Sequence, residues 1–286
     1  MADDYVWFEG LPFPVIGYNA EVIKEVCTKF VIKDEDTVMV AYPKSGTNWL
    51  IEILCLVHSK GDTKWIQSVP IWERSPCLET DVGYKWLNER EGPRLLMSHL
   101  PIHLFPKSLF TSKAKVLYIM RNPKDVLVSG YYFWSMTTLS KKTESLEQYF
   151  KWFIQGNVPY GSWFEHIRGW MSMRHRENFL LLSYEELKKD PRSTIEKICQ
   201  FLGKKLNPEE LDSVLTNSSF HVMKQNKMSN YKMLPETLIR NHFSLTRKGK
   251  CSVFPYERHV SVAVVLPAGT WGKLIQCWRG GWFWRW

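Results

Sequence analysis

None of the six cysteines, Cys27, Cys55, Cys77, Cys199, Cys251 and Cys277, pairs as C-x-x-C, and they are scattered along the 286 residues. That spacing excludes a zinc ribbon or a thioredoxin-like redox motif, so no metal site is expected. The opening residues Met1-Ala2-Asp3-Asp4-Tyr5 lack the cationic lead-in and apolar run of a secretory signal. Near the other end, the uncharged stretch Val260 to Gly269 is too short to cross a bilayer. The expectation is a cytoplasmic protein with reduced thiols and no transmembrane segment. The formal net charge is +9, yet the basic residues do not gather into runs interleaved with aromatics, so nucleic acid is not an expected partner.

Glycine is missing at the one place where a nucleoside-triphosphate loop requires it. The β-branched run Thr37-Val38-Met39-Val40-Ala41 leads into Tyr42-Pro43-Lys44-Ser45-Gly46-Thr47-Asn48-Trp49, then into the apolar stretch Trp49 to His58 that Gly61 closes. Strand, tight loop and helix amino terminus together form an anion cradle, where backbone N–H groups, the helix dipole and a lysine converge. A Walker loop reads G-x-x-x-x-G-K-[ST]. Here Lys44 precedes Gly46, and Ala41 stands where the first glycine would be. The loop suits a nucleotide phosphate that is not a magnesium-bound triphosphate.

A second strand–turn–helix unit runs from Lys115 to Met120, turns at Arg121-Asn122-Pro123, and continues through Ser129 and Gly130. Pro123 fits a first helical turn, where its missing N–H costs nothing. Arg121, at a strand's carboxyl end, can hold a phosphate with its planar fork or form a salt bridge with Asp125. Two further apolar segments, Arg94 to Ser98 and Phe179 to Ser183, each end in polar residues. Four such strands, each followed by a helical stretch, predict an α/β single domain with a parallel sheet flanked by helices and a P-loop-like phosphate loop.

Pro43 to Trp49, Arg121 to Asp125 and Arg247-Lys248-Gly249 resemble the signature segments of the cytosolic sulfotransferases. Trp7-Phe8-Glu9-Gly10, Gln67 to Pro76, and Phe179 to Leu187 are similar to the hydroxysteroid, or alcohol-type, branch of that family. The resemblance spans residues from about Asp4 to Gly249. It implies a sulfotransferase fold and 3′-phosphoadenylyl sulfate as co-substrate, with no metal. By the same resemblance, Lys44, Ser45, Gly46, Thr47 and Asn48 hold the 5′-phosphosulfate, and Trp49 lies near the adenine. Arg121, Ser129, Arg247, Lys248 and Gly249 take the 3′-phosphate, while Tyr184, Ser218, Phe220 and Met223 line the adenine pocket.

Sulfuryl transfer needs a base, a cation for the leaving oxygen and a fixed line of attack. His99, at the end of a strand and titrating near neutrality, is the candidate base. Lys44 is the candidate cation, and Ser129 a modulator of where it points. Fourteen tryptophans and 14% aromatic residues fit either an aromatic-rich core or a pocket for a flat apolar alcohol. The pocket candidates are Trp72, Phe133, Trp134 and Tyr231, with a steroid or bile acid as acceptor. Cys77 and Thr137 stand where the branch would place larger pocket residues.

After Gly249 the resemblance ends. Residues 250–286 carry five of the 14 tryptophans (Trp271, Trp278, Trp282, Trp284, Trp286) and five basic residues against the single acid Glu257. No helix or strand period would bury those rings on one face. The expected organisation is a sulfotransferase domain over 1–249 and a divergent basic tail over 250–286, which lacks the segment through which the family dimerises. Reduced donor affinity and stability are expected of such a tail. A catalytically impaired binder is the alternative function, and a small-molecule kinase a more remote one.

Overall fold

In chain order the computed structural model contains β1 (Val6–Phe8), β2 (Leu11–Phe13), α1 (Ala20–Thr28), β3 (Thr37–Ala41), α2 (Thr47–His58), α3 (Lys64–Ser68), α4 (Ile71–Arg74), α5 (Asp81–Glu89) and β4 (Leu95–Ser98). There follow β5 (Lys115–Met120), α6 (Pro123–Met136), α7 (Leu146–Gln155), α8 (Trp163–Trp170), β6 (Phe179–Ser183), α9 (Tyr184–Lys189), α10 (Pro191–Leu202), α11 (Pro208–Asn217) and α12 (Phe220–Gln225). The structure describes residues 5–141, 143–233 and 238. Arg247, Lys248, Gly249 and the 250–286 tail lie outside the described residues.

The four strands expected from the sequence form one sheet in the order β4-β3-β5-β6, with every pairing parallel. Because both faces of a parallel sheet are covered, its strands must be apolar at nearly every position. All five residues of β3 are buried, and alternate residues feed two separate cores. Val38, Val40, Val116 and Tyr118 face one side, with Trp170 of α8 and Val126 of α6. Met39, Ala41, Leu117 and Ile119 face the other, with α2, α10 and α11. The β1–β2 hairpin is a separate two-stranded sheet.

The strand order reverses at β3: β4 is added on one side of it and β5 on the other. The loops leaving β3 and β5 therefore diverge and open a crevice at the carboxyl ends of the strands, where open α/β sheets take their ligands. The helix after β3 begins at Thr47, two residues earlier than the apolar run alone marks. It is buried nearly all round, through Leu50, Ile51, Ile53, Leu54, Leu56 and Val57, as a helix wedged between sheet and outer helices must be. At its end, Gly61 (φ 81°) turns the chain back and donates its N–H to Leu56 O at 2.8 Å. Asn122 caps α6 by accepting from Lys124 N, with Pro123 in the first turn as anticipated.

Candidate active site

The loop from Tyr42 to Asn48 is held in a conformation that ordinary residues resist. Lys44 has φ 71° and Gly46, the N-cap of α2, has φ 106°. Gly46 has a second reason to lack a side chain, since a Cβ there would stand 2.6 Å from Tyr184 Cδ2. Left-handed backbone at a non-glycine costs on the order of 1–3 kcal/mol and persists where the surroundings impose it. Here the imposing contact is Arg121, whose Nη1 donates to Lys44 O at 3.0 Å. No ion pair joins Arg121 to Asp125 among the described residues, so the salt bridge that the sequence allowed is not formed and the rest of the guanidinium is left for another partner. The guanidinium lies 4.2 Å over the Tyr184 ring, and that ring meets Trp49 edge-on at 5.7 Å.

Around this loop, polar atoms are buried without protein partners. Ser45 Oγ, Thr47 Oγ1, Trp49 Nε1 and Arg121 Nε make no hydrogen bond among the described residues. Buried polar groups are ordinarily satisfied, and each exception calls for an explanation. Neither Lys44 nor Arg121 forms an ion pair with a described carboxylate. Lys44 Nζ sits 3.9 Å over the Phe133 ring. Burial, together with repulsion from Arg121, pushes its pKa down to about 7. Two cations and several orphaned donors thus share one crevice, a constellation complete only when a polyanion enters.

His99 stands at the mouth of the neighbouring strand, just past β4. Its Nδ1 lies 2.6 Å from Ala41 O, and a carbonyl can only accept, so Nδ1 carries the proton. The lone pair is left on Nε2, the arrangement a general base needs. The backbone N–H of His99 donates to Glu79 Oε1 at 2.7 Å. Burial holds the imidazole below its usual pKa, partly offset by the Glu79 charge and the Ala41 bond, with Lys44 adding to the depression. The base is therefore neutral at physiological pH.

Behind His99 the support is extensive. His166 Nε2 donates to His99 O at 3.1 Å, which leaves its Nδ1 to accept from Tyr118 Oη at 2.9 Å. One turn along α8, Trp170 Nε1 donates to Leu100 O at 3.0 Å. The Tyr160 ring meets the His99 ring edge-on at 5.3 Å, and its hydroxyl is 2.5 Å from that of Tyr18. Glu79, Tyr18, Tyr160 and His166 were not singled out from the sequence. Nothing local marks them, because each gains its role from a partner far along the chain.

The aromatic candidates divide. Trp72 and Tyr231 pack together with ring centroids 5.5 Å apart, and Tyr231 Oη donates to Asn48 Oδ1 at 3.1 Å. Phe133 faces Lys44, whereas its neighbour Trp134 turns into the core beside Tyr149. Ser218 and Met223 are buried and Phe220 is exposed. No hydrogen bond or ring contact joins these three or Ser129 to the loop among the described residues. Thr137 is buried with an unpartnered hydroxyl, and Cys77 is half-buried.

A parallel sheet with an anion loop after an inner strand, two cations without an ion-pair partner among the described residues and a neutral histidine at the adjoining strand end define a group-transfer site for an anionic donor. The sulfotransferase domain model matches residues 34–265. Sulfotransferase 2A1 of Macaca fascicularis is 61% identical over 276 residues, covering 96% of this chain and 95% of that protein. The 3-beta-hydroxysteroid sulfotransferase of Cavia porcellus is 60% identical over 263 residues, covering 92% and 91%. Among solved structures, a mouse sulfotransferase complexed with PAP superposes with a TM-score of 0.67 at 30% identity, covering 76% of this chain and 75% of that one. The chain belongs to the sulfotransferase family. The family match continues past Gly249, to residue 265.

Proposed function

We propose that this protein transfers a sulfuryl group from 3′-phosphoadenylyl sulfate to a hydroxyl of a steroid, bile acid or similar alcohol. The observation that carries the reading is the pair of half-buried cations, Lys44 and Arg121, without a described counter-carboxylate and among buried hydroxyls that have no partner among the described residues. A nucleotide bearing a phosphosulfate and a separate phosphate would satisfy them. The relatives named for hydroxysteroid sulfation, and the solved neighbour that holds PAP, support the same donor and acceptor class. No helix among the described residues is long and apolar enough to cross a membrane, and we read the protein as cytoplasmic.

The donor supplies an activated sulfuryl group; the protein's residues do the rest. Lys44, Ser45, Gly46, Thr47 and Asn48 form the cradle for the phosphosulfate, backed by the amino terminus of α2. Arg121, with Ser129, receives the second phosphate, and Trp49 and Tyr184 frame the base together with Ser218, Phe220 and Met223. Trp72, Phe133 and Tyr231 form the apolar acceptor wall, with Trp134 buttressing Phe133 from the core. His99 Nε2 takes the acceptor's proton, and the Lys44 ammonium meets negative charge developing on the leaving oxygen. Such preorganised charge in a water-poor site is the larger contributor to transfer reactions of this kind.

The test is sulfate transfer from labelled donor to a panel of hydroxysteroids and bile acids. His99→Ala is expected to lower kcat by about 10²–10⁴-fold, the usual contribution of a positioned base, while PAP binding survives. Turnover unaffected by that substitution would assign the base elsewhere. A folded chain with no turnover on any acceptor would overturn the transfer reading.

A further inference from the structure

One buried ion pair takes no part in the chemistry above. Glu52 of α2 and Arg74 of α4 are wholly buried and meet at 2.8 Å. Ser229 closes them into a triangle: Arg74 Nη2 donates to Ser229 Oγ at 3.0 Å, and that hydroxyl donates to Glu52 Oε1 at 2.9 Å. Asn226 Nδ2 donates to Ser229 Oγ at 3.1 Å and to Ile66 O at 2.9 Å, while Ile71 N donates to Met228 O at 2.8 Å. The segment after α12 is therefore fastened to both α2 and α4.

Each corner of this triangle adjoins a residue of the site. Glu52 lies one helical turn after Asn48, on the same face of α2. Arg74 shares the single turn of α4 with Trp72. Ser229 lies in the short link that ends at Tyr231, whose φ of 59° is left-handed for a bulky residue. Asn48, Tyr231 and Trp72 form a contact chain, through the 3.1 Å hydrogen bond and the 5.5 Å ring contact. The charged triangle is the mount and the aromatic chain the working surface. A buried ion pair adds little stability over apolar packing of the same volume; what it can add is a single geometry.

We propose that Glu52, Arg74 and Ser229 are positioning residues that fix the Trp72–Tyr231 pair against Asn48, and so set the acceptor wall at a defined place relative to the donor loop. The proposal rests on the reading of Trp72 and Tyr231 as acceptor wall. It is tested with Ser229→Ala, Ser229→Thr, Tyr231→Phe and the Ser229→Ala/Tyr231→Phe double variant. Binding of a 3-hydroxysteroid is measured by equilibrium dialysis with saturating PAP, PAP binding alone by calorimetry, and acceptor KM and kcat in turnover.

Ser229→Ala is expected to weaken steroid binding and raise acceptor KM about five- to tenfold, with PAP affinity changed less than about twofold. Ser229→Thr restores most of the loss. Tyr231→Phe costs a similar factor in the native chain but little more in the Ser229→Ala background, because the two act through one contact chain. Additive losses, unchanged steroid affinity in Ser229→Ala, or PAP affinity that falls in parallel would overturn the proposal. Native protein that binds steroid without sulfating it would sink the transfer reading and leave this test standing. Native protein that binds PAP but no steroid would overturn the positioning proposal together with the steroid acceptor, and leave the donor reading standing.

Discussion

Two arginines at opposite ends of the same sheet, Arg94 buried and Arg121 half-buried, differ in how their charges are answered, and that difference separates structure from function. At the amino end, Arg94 is 4% exposed and fully engaged. Its Nε and Nη2 hold Asp36 at 2.9 and 2.5 Å, Nη1 donates to Leu87 O at 2.9 Å, and Nη2 also donates to Val31 O at 2.8 Å. At the carboxyl end, Arg121 has one hydrogen-bond partner among the described residues, Lys44 O, a buried Nε without one, and a second cation beside it. A satisfied buried charge ties the start of β3 to the start of β4. An unsatisfied one awaits a ligand, and the fold carries its cost.

The comparison predicts opposite losses. Arg94→Met strands the Asp36 carboxylate in the core and is expected to cost about 3–5 kcal/mol of stability. Denaturant unfolding measures it, and donor affinity in the surviving folded fraction should stay near native. Lys44→Met reverses the pattern: kcat falls by about 10²–10³-fold, as for loss of one transition-state charge contact, while Tm holds or rises because a desolvated ammonium is removed. A Lys44→Met chain that lost stability as heavily as Arg94→Met would erase the distinction.

A smaller effect sharpens it. With its pKa held near 7 before any anion arrives, Lys44 is largely neutral above that pH. A bound polyanion raises the pKa again, so binding takes up a proton. PAP affinity is then expected to fall about tenfold per pH unit above 7, until the pKa of the complex is reached. Calorimetry in buffers of different ionisation enthalpy would detect the uptake, and a flat profile from pH 7 to 9 would contradict it. The depressed His99 pKa acts on the other side, keeping the base unprotonated down to below its ordinary range.

Much of the site was legible because its chemistry is local. The loop from Pro43 to Trp49 and the Arg121 turn each present their functional residues within one short segment, after a strand whose continuous apolar run betrays burial on both faces. The three-residue strands of the β1–β2 hairpin have too few positions to display a period. Glu79 was invisible for a different reason: among many acidic residues, only its contact with His99 N, 20 positions away, distinguishes it. Phe133 and Trp134 both read as acceptor candidates; consecutive residues on a helix point about 100° apart, so Phe133 faces Lys44 while Trp134 packs against it from the core.

By itself, the amino-acid sequence determined the anion loop, the strands that present it, the histidine at a strand end and the kinship those segments carry. Only the tertiary structure decided which charges are answered. Arg94 finds Asp36 across 58 residues, Ser229 finds Glu52 across 177, and Arg121, among the described residues, finds a backbone oxygen 77 positions away and no carboxylate. Whether a buried charge is a strut or a binding group depends on its partners, and partners that distant are brought together by packing.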